Sequence, residues 1–205
     1  IFKKMIDKKI NNYLNPYLFY LAKILCKFNI SANFITLIGS IFGFFCFFFI
    51  IKSNFILAFL FLFLNRLFDG LDGAIARLVG ETDLGAFYDI ISDFIFYCLF
   101  PIAFIFINID NAYSICFLLL SFVATQSTFL ASAWLLEKNK IFISKKNTKS
   151  FFYIGGITEG FETIICFSLM LLFNNFIDLI SYCFGTLCWI TFIFRVFYIR
   201  KILIT

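Results

Sequence analysis

The chain is 205 residues long, 62% hydrophobic and only 14% charged, with a net charge of +5 and a mean hydropathy of +0.99. A soluble domain is about 45–50% apolar and about 25% charged, and a globule of this length has too little interior to hide the excess. A soluble globule, a secreted disulfide scaffold, a disordered chain and a solenoid are excluded, which leaves an all-α integral membrane protein.

The first 30 residues differ from the rest. Met5–Phe28 mixes Lys8, Lys9, Lys23 and Lys27 with Tyr13, Leu14, Tyr17, Leu18 and Phe19. That pattern predicts an amphipathic helix lying in the membrane interface, kinked at Pro16. Residues 31–205 then read as one catalytic transmembrane domain. A span takes about 20 mostly apolar residues. Six are predicted: Ser31–Ile51, Asn54–Ala76, Gly85–Ile107, Ala112–Leu136, Phe152–Phe173 and Ile177–Tyr198. The connectors at Lys52–Asn54, Asn108–Asn111 and Asn174–Asn175 are short, and Lys138–Ser150 is the one long loop. Phe accounts for 35 residues, which read as lipid-facing bulk rather than aromatic cages.

Charge fixes the orientation. Fifteen of the 17 basic residues fall before the first span, at Arg77, in Lys138–Lys149 or at the C-terminal end. The opposite connectors hold only Lys52. The positive-inside rule places both termini in the cytoplasm. No segment reads as a cleavable secretory signal. The seven Cys sit in apolar runs without a C-x-x-C pair, and the chain has no His. The thiols read as small buried hydrophobes, and zinc sites of the usual kind and a His general base are excluded.

Charged groups inside a span cost about 2.5–3.5 kcal/mol each near its centre, yet the second and third spans carry Asp69, Asp72, Asp89 and Asp93. At about 100° per residue, Asp69, Asp72, Gly73 and Ala76 fall on one helical stripe with Arg77 at its edge. Gly85, Asp89 and Asp93 form a second. A link at Leu78–Leu84 is expected to join the two helices as an antiparallel pair with the stripes opposed. Asp69 lies eight residues before the cytoplasmic Arg77, about 12 Å deep at 1.5 Å per residue, so the cluster opens to the cytoplasm. Clustered carboxylates repel unless cations bind between them, and an all-oxygen set favours Mg²⁺ or Mn²⁺. Gly73 and Ala76 leave room for a ligand beside the helix, and Arg77 offers a fork for phosphate oxygens. Together these residues predict metal-dependent phosphoryl transfer. Helix packing with a structural ion-pair network would leave the matched stripes unexplained.

The runs D-G-L-D-G-A-I-A-R and G-A-F-Y-D-I-I-S-D resemble the CDP-alcohol phosphotransferase (CDP-alcohol phosphatidyltransferase) signature, D-x2-D-G-x2-A-R followed by G-x3-D-x3-D. All eight fixed positions match: Asp69, Asp72, Gly73, Ala76, Arg77, Gly85, Asp89 and Asp93. The spacer is seven residues, one fewer than the usual pattern, a difference Gly80 can absorb in the turn. Lys149–Thr163 resembles a bacterial subgroup of the same family. The resemblance implies six spans, a homodimer in a bacterial inner membrane, and transfer of a phosphatidyl group from CDP-diacylglycerol to an alcohol in phospholipid synthesis, with release of CMP. It implies that Asp69, Asp72 and Asp89 bind two divalent ions. Asp93 would complete that site and act as general base, Arg77 would hold the diphosphate, and Gly73, Ala76 and Gly85 would line the nucleotide pocket.

Other residues have two readings each. Asn33 and Thr36 resemble an Asn-x-x-Thr element near the nucleotide, or else Asn33 or Ser31 caps the first span. Arg66 is placed to pair with Asp69. Glu159 and Glu162 are candidates for contacting the acceptor or for capping the fifth span. Lys145, Lys146 and Lys149 suit an acidic lipid or a phosphorylated acceptor, or plain solvated positive-inside charge. An ion- or proton-coupled transporter is the rival function, and it requires acids along a path across the membrane. The outer half offers only Asp110 and Asp178, both at connectors.

Overall fold

Apolar runs of helical length, broken by short Asn- and Gly-containing connectors, leave the backbone one way to satisfy its polar groups in a bilayer, which is to bond them within helices. The computed structural model describes residues 2–139 and 158–204, with side chains from residue 15 onward. Every regular element among the described residues is helical. In chain order they are α1 (Phe2–Lys27), α2 (Ala32–Ile51), α3 (Phe55–Val79), α4 (Asp83–Ile102), α5 (Ala112–Lys138), α6 (Gly160–Leu172) and α7 (Ile177–Ile204). Short 3-10 turns at Ile109–Asn111 and Asn174–Phe176 lead into α5 and α7.

Among the described residues, four helical stretches are long and apolar enough to cross a membrane: Ala32–Ile51, Asp83–Ile102, Ile109–Lys138 and Asn174–Ile204. The 25-residue α3 carries Arg66 near its middle and Asp69, Asp72 and Arg77 in its second half. The described part of the predicted fifth span is the 13-residue α6. The start of that span at Phe152 and most of the Lys138–Ser150 loop, with Lys145, Lys146 and Lys149, lie outside the described residues. The helix of α1 continues through Pro16.

The chain divides into two compact units, Ile1–Ala103 and Phe104–Thr205. In the first, α2 is the hub. It packs against both α3 and α4, and α1 packs on α3. The expected antiparallel pairing of α3 with α4 shows in side chains, where Arg66 of α3 meets Asp93 of α4 at 2.9 Å, while the two backbones approach each other little and each leans on α2. The cause is the G-S-I-F-G run of α2, small residues four apart on one face. A Cβ on Gly39 would stand 3.3 Å from the Phe68 Cβ of α3, and one on Gly43 would stand 2.8 Å from the Phe96 ring of α4. Asn65 of α3, itself buried, donates to the Gly39 carbonyl at 2.8 Å. A cluster of Ala22, Ile35, Leu71, Ala74 and Ile75 ties α1, α2 and α3 together.

The connection after α3 is also tighter than expected. Helix persists to Val79 and resumes at Asp83, so Gly80, Glu81 and Thr82 alone form the turn. Gly80 takes φ +120°, open to glycine without strain, and the Thr82 hydroxyl caps α4 by accepting the Gly85 N–H at 3.1 Å. At its far end α4 stops at Ile102, directly after Pro101, rather than at Ile107.

In the second unit α5 packs along α7, and α6 packs on α7. Gly185 makes the first contact possible, since a Cβ there would meet the Phe117 ring at 2.8 Å. Arg195 is buried, donating to the Thr125 carbonyl at 2.6 Å and the Thr128 hydroxyl at 3.3 Å. All seven cysteines are unbridged. Cys46, Cys166 and Cys188 are buried, but Cys116 and Cys183 are exposed, so burial does not extend to every thiol.

Candidate active site

α3 and α4 enter the site from opposite ends of the short Gly80–Thr82 turn, and α2 supplies its floor. Between them lies a cavity of about 610 Å³. Its walls include Asn33 and Thr36 from α2, Asp72, Gly73, Ala76 and Arg77 from α3, and Gly85 and Asp89 from α4. Eight of the residues singled out in the sequence therefore share one cavity, inside one compact unit.

Local chemistry explains each placement. Ser31 caps α2, accepting the Phe34 N–H at 3.3 Å, which leaves the Asn33 side chain to the cavity wall. Gly85 makes room for it, since a Cβ there would sit 3.0 Å from Asn33 Oδ1 and 3.0 Å from the Thr82 hydroxyl. The Thr36 hydroxyl donates to Asp72 Oδ2 at 2.6 Å, satisfying a buried carboxylate. One turn deeper, the Ser40 and Ser92 hydroxyls bond at 2.6 Å and pin α2 to α4. The Arg77 guanidinium lies back over its own helix, where a Cβ on Gly73 would meet it at 3.2 Å. Its other side faces the Phe19 ring of α1 at 5.4 Å, a cation–π contact.

Asp69 and Asp93 stand apart from the residues that line the cavity. Arg66 holds both: its NH2 donates to Asp93 Oδ1 at 2.9 Å, and its NH1 lies 3.6 Å from Asp69 Oδ2. The tighter pairing is across helices, with Asp93, and the within-helix pairing with Asp69 is the looser one. The Tyr97 hydroxyl donates to Asp93 Oδ2 at 3.2 Å. All four carboxylates remain within coulombic range of one another.

The donor set of carboxylates and hydroxyls, without imidazole, fits a hard divalent cation. Among the described residues no three His, Cys, Asp or Glu side chains converge in ligating geometry, because Asp93 and Asp69 are turned to Arg66 and Asp72 to Thr36. Asp89 faces the cavity opposite Asp72.

The remaining candidates lie elsewhere. Glu159 and Glu162 form a reciprocal capping box at the start of α6, the Glu162 carboxylate accepting the Glu159 N–H at 3.0 Å. They belong to the second unit. Lys146 and Lys149 fall outside the described residues.

Phe19, Tyr97, Ser40 and Ser92 are site neighbours that the sequence reading passed over. Tyr97 follows Asp93 by four residues and Ser40 follows Thr36 by four, so a one-turn extension of each stripe finds them. Phe19 has no such signal, because it arrives from a separate helix.

Comparison with known proteins gives these residues a family. The chain is 40% identical over 193 residues to the inner membrane protein YnjF of Escherichia coli (strain K12), covering 94% of each chain. It is 38% identical over 86 residues to an uncharacterized protein of Aquifex aeolicus (strain VF5), covering 42% of this chain and 44% of that one. No solved structure matches. An inner-membrane relative and four helices of spanning length support an integral membrane protein. The family model for CDP-alcohol phosphatidyltransferase matches residues 29–197, the stretch that contains every cavity residue named above, and the chain belongs to that family.

Proposed function

We propose that the protein transfers a phosphatidyl or related phosphoalcohol group from CDP-diacylglycerol to an alcohol acceptor, releasing CMP, as a step of phospholipid biosynthesis. Family membership supports a phosphotransferase acting on a CDP-alcohol. The observation that carries the finer reading is the cavity of about 610 Å³, where two signature carboxylates, three small signature residues and Arg77 line one space.

Each side chain has a role suited to its chemistry. The Arg77 fork pairs with the donor diphosphate, steadied from behind by Phe19. Gly73, Ala76 and Gly85 keep the walls low enough for a nucleotide to reach the helix backbone. Asn33 presents an amide to the base or ribose, and Thr36 fixes the Asp72 carboxylate. Asp69, Asp72, Asp89 and Asp93 would hold two Mg²⁺ or Mn²⁺ ions, which when bound neutralise the diphosphate and the leaving oxygen. Asp93 takes the proton of the acceptor hydroxyl as that oxygen attacks the β-phosphorus, and CMP leaves from the opposite side. Glu159, Glu162, Lys146 and Lys149 are the candidates for acceptor contacts.

The architecture that goes with this reading has six spans in residues 31–205, with α3 and α6 completing the set, and α1 lies in the interface within residues 1–30. Both termini and the cavity mouth face the cytoplasm of a bacterium, and the protein acts as a homodimer in the inner membrane. Purified protein with radiolabelled CDP-diacylglycerol, Mg²⁺ or Mn²⁺ and a panel of alcohols tests the reaction by its lipid products. The expected result is metal-dependent product with one class of acceptor. Undiminished transfer in EDTA would rule out the metal-dependent mechanism, and absence of transfer to any acceptor would rule out the donor.

A further inference from the structure

Arg66 is outside the eight signature positions, yet it holds two of them. Its position is fixed on several sides. Nε donates to Asn65 Oδ1 at 2.8 Å, NH2 to Asp93 Oδ1 at 2.9 Å, and NH1 to the Tyr97 hydroxyl at 3.5 Å, with Asp69 Oδ2 3.6 Å from NH1. The Phe96 and Tyr97 rings lie 5.0 and 5.6 Å from the guanidinium carbon. Asn65 is itself anchored to α2 through the Gly39 carbonyl. An arginine so placed keeps its charge, because guanidinium does not deprotonate in proteins, and its rigid fork cannot swing away without leaving several partners.

We propose that Arg66 is a built-in counter-cation at the Asp69–Asp93 edge of the acid cluster, so that a divalent ion entering that edge competes with the guanidinium for the two carboxylates. The proposal rests on the metal-dependent reading above. Two observations carry it. First, the acids are divided: Asp72 and Asp89 line the open cavity, while Asp69 and Asp93 are turned to Arg66. Second, the carboxylate oxygen nearest Arg66 already accepts a charge-assisted bond at 2.9 Å. That bond takes up one of the lone pairs a metal would use, and the positive charge behind it repels an incoming cation. The arrangement keeps the acids paired within the bilayer between turnovers. It also couples tight metal uptake to arrival of the anionic donor, whose diphosphate offsets the extra positive charge.

The test is direct metal binding, read by calorimetric titration of Mn²⁺ into the purified, nucleotide-free full chain. Arg66→Gln removes the charge and should tighten Mn²⁺ binding at least about tenfold, since a unit charge at contact distance inside a protein is worth more than one decade. Arg66→Lys keeps the charge but loses the fork, and should tighten binding by a smaller factor, roughly threefold. If Arg66→Gln does not purify as folded helical protein, the Lys variant alone carries the test. Equal Mn²⁺ affinity in wild type and in the folded variants would overturn the proposal and leave the metal reading intact. No Mn²⁺ binding by any of the proteins would overturn both.

Discussion

Arg66 and Arg195 each place a guanidinium in an apolar helix, one in each compact unit, and the protein neutralises them in different ways. Arg66 faces carboxylates from two helices, Asp69 and Asp93. Arg195 faces dipoles, the Thr125 carbonyl and the Thr128 hydroxyl, with the Phe129 ring 5.7 Å away and Glu159 within coulombic range. A cation balanced by carboxylates can be exchanged for another cation, because the acids remain acids when it leaves. Hydrogen bonds of Arg195 go to a carbonyl and a hydroxyl, with the Glu159 carboxylate near by, so its charge is shared between dipoles and an acid of another helix's cap. Around Arg66 the charge is balanced by two of the signature carboxylates. Around Arg195 the observed contacts are those of a strut between α5 and α7.

The largest expected effect is on the carboxylate side. Asp89→Asn removes a cavity-facing acid while keeping its size, and turnover should fall by about 10²–10³-fold or more, the scale of losing one electrostatic stabiliser of a transition state. Donor binding should fall with it, and parallel measurement of product formation and donor affinity checks both. Asp93→Asn should lower turnover by about 10²-fold, the usual contribution of a general base, while donor affinity changes far less. If Asp93→Asn abolished donor binding as fully as Asp89→Asn, Asp93 would be a metal ligand first and the base would have to be sought elsewhere.

Arg195→Met probes the other side of the comparison. It should cost about 1–3 kcal/mol of stability, the scale of leaving buried hydrogen-bonding groups unpaired, seen as a lower midpoint in thermal unfolding in detergent. Mn²⁺ affinity and donor binding should not move, and a loss of either would make Arg195 part of the ion-binding chemistry after all. The smallest effect is expected at Gly85→Ala. The new Cβ would press on Asn33 Oδ1 and the Thr82 hydroxyl, each 3.0 Å away, at a cost of about 1 kcal/mol. The donor KM should rise several-fold with kcat nearly unchanged.

Much of this site was legible in the sequence because it is local. Asp69, Asp72, Gly73 and Ala76 share a stripe by helical periodicity alone, as do Gly85, Asp89 and Asp93, and the structure keeps both stripes on single unbroken helices. The start of the first span was also legible, since Ser31, one of its two cap candidates, accepts the Phe34 N–H; Asn54 and Thr82 cap α3 and α4 in the same way. Illegible was whatever depends on how helices meet. The pairing of Arg66 with Asp93 needs the register between α3 and α4. The way each of those helices leans on α2 depends on close approaches at Gly39 and Gly43, and glycine spacing alone does not say which helix each one meets. Phe19 reaches Arg77 only because α1 folds onto α3 through Ala22 and Leu18. Glu159 and Glu162 admitted two readings, and the capping contact is the one the geometry displays.

On the proposed function, divalent metal and the nucleotide end of the donor meet in the cavity lined by α2, α3 and α4. Equilibrium binding of CMP to the purified full chain, in Mn²⁺ and again in EDTA, tests it most directly, with Asp72→Asn and Asp89→Asn measured alongside. The account predicts binding by the wild type that requires Mn²⁺ and is lost in both variants. CMP binding of equal strength in EDTA, or retained in both variants, would contradict it.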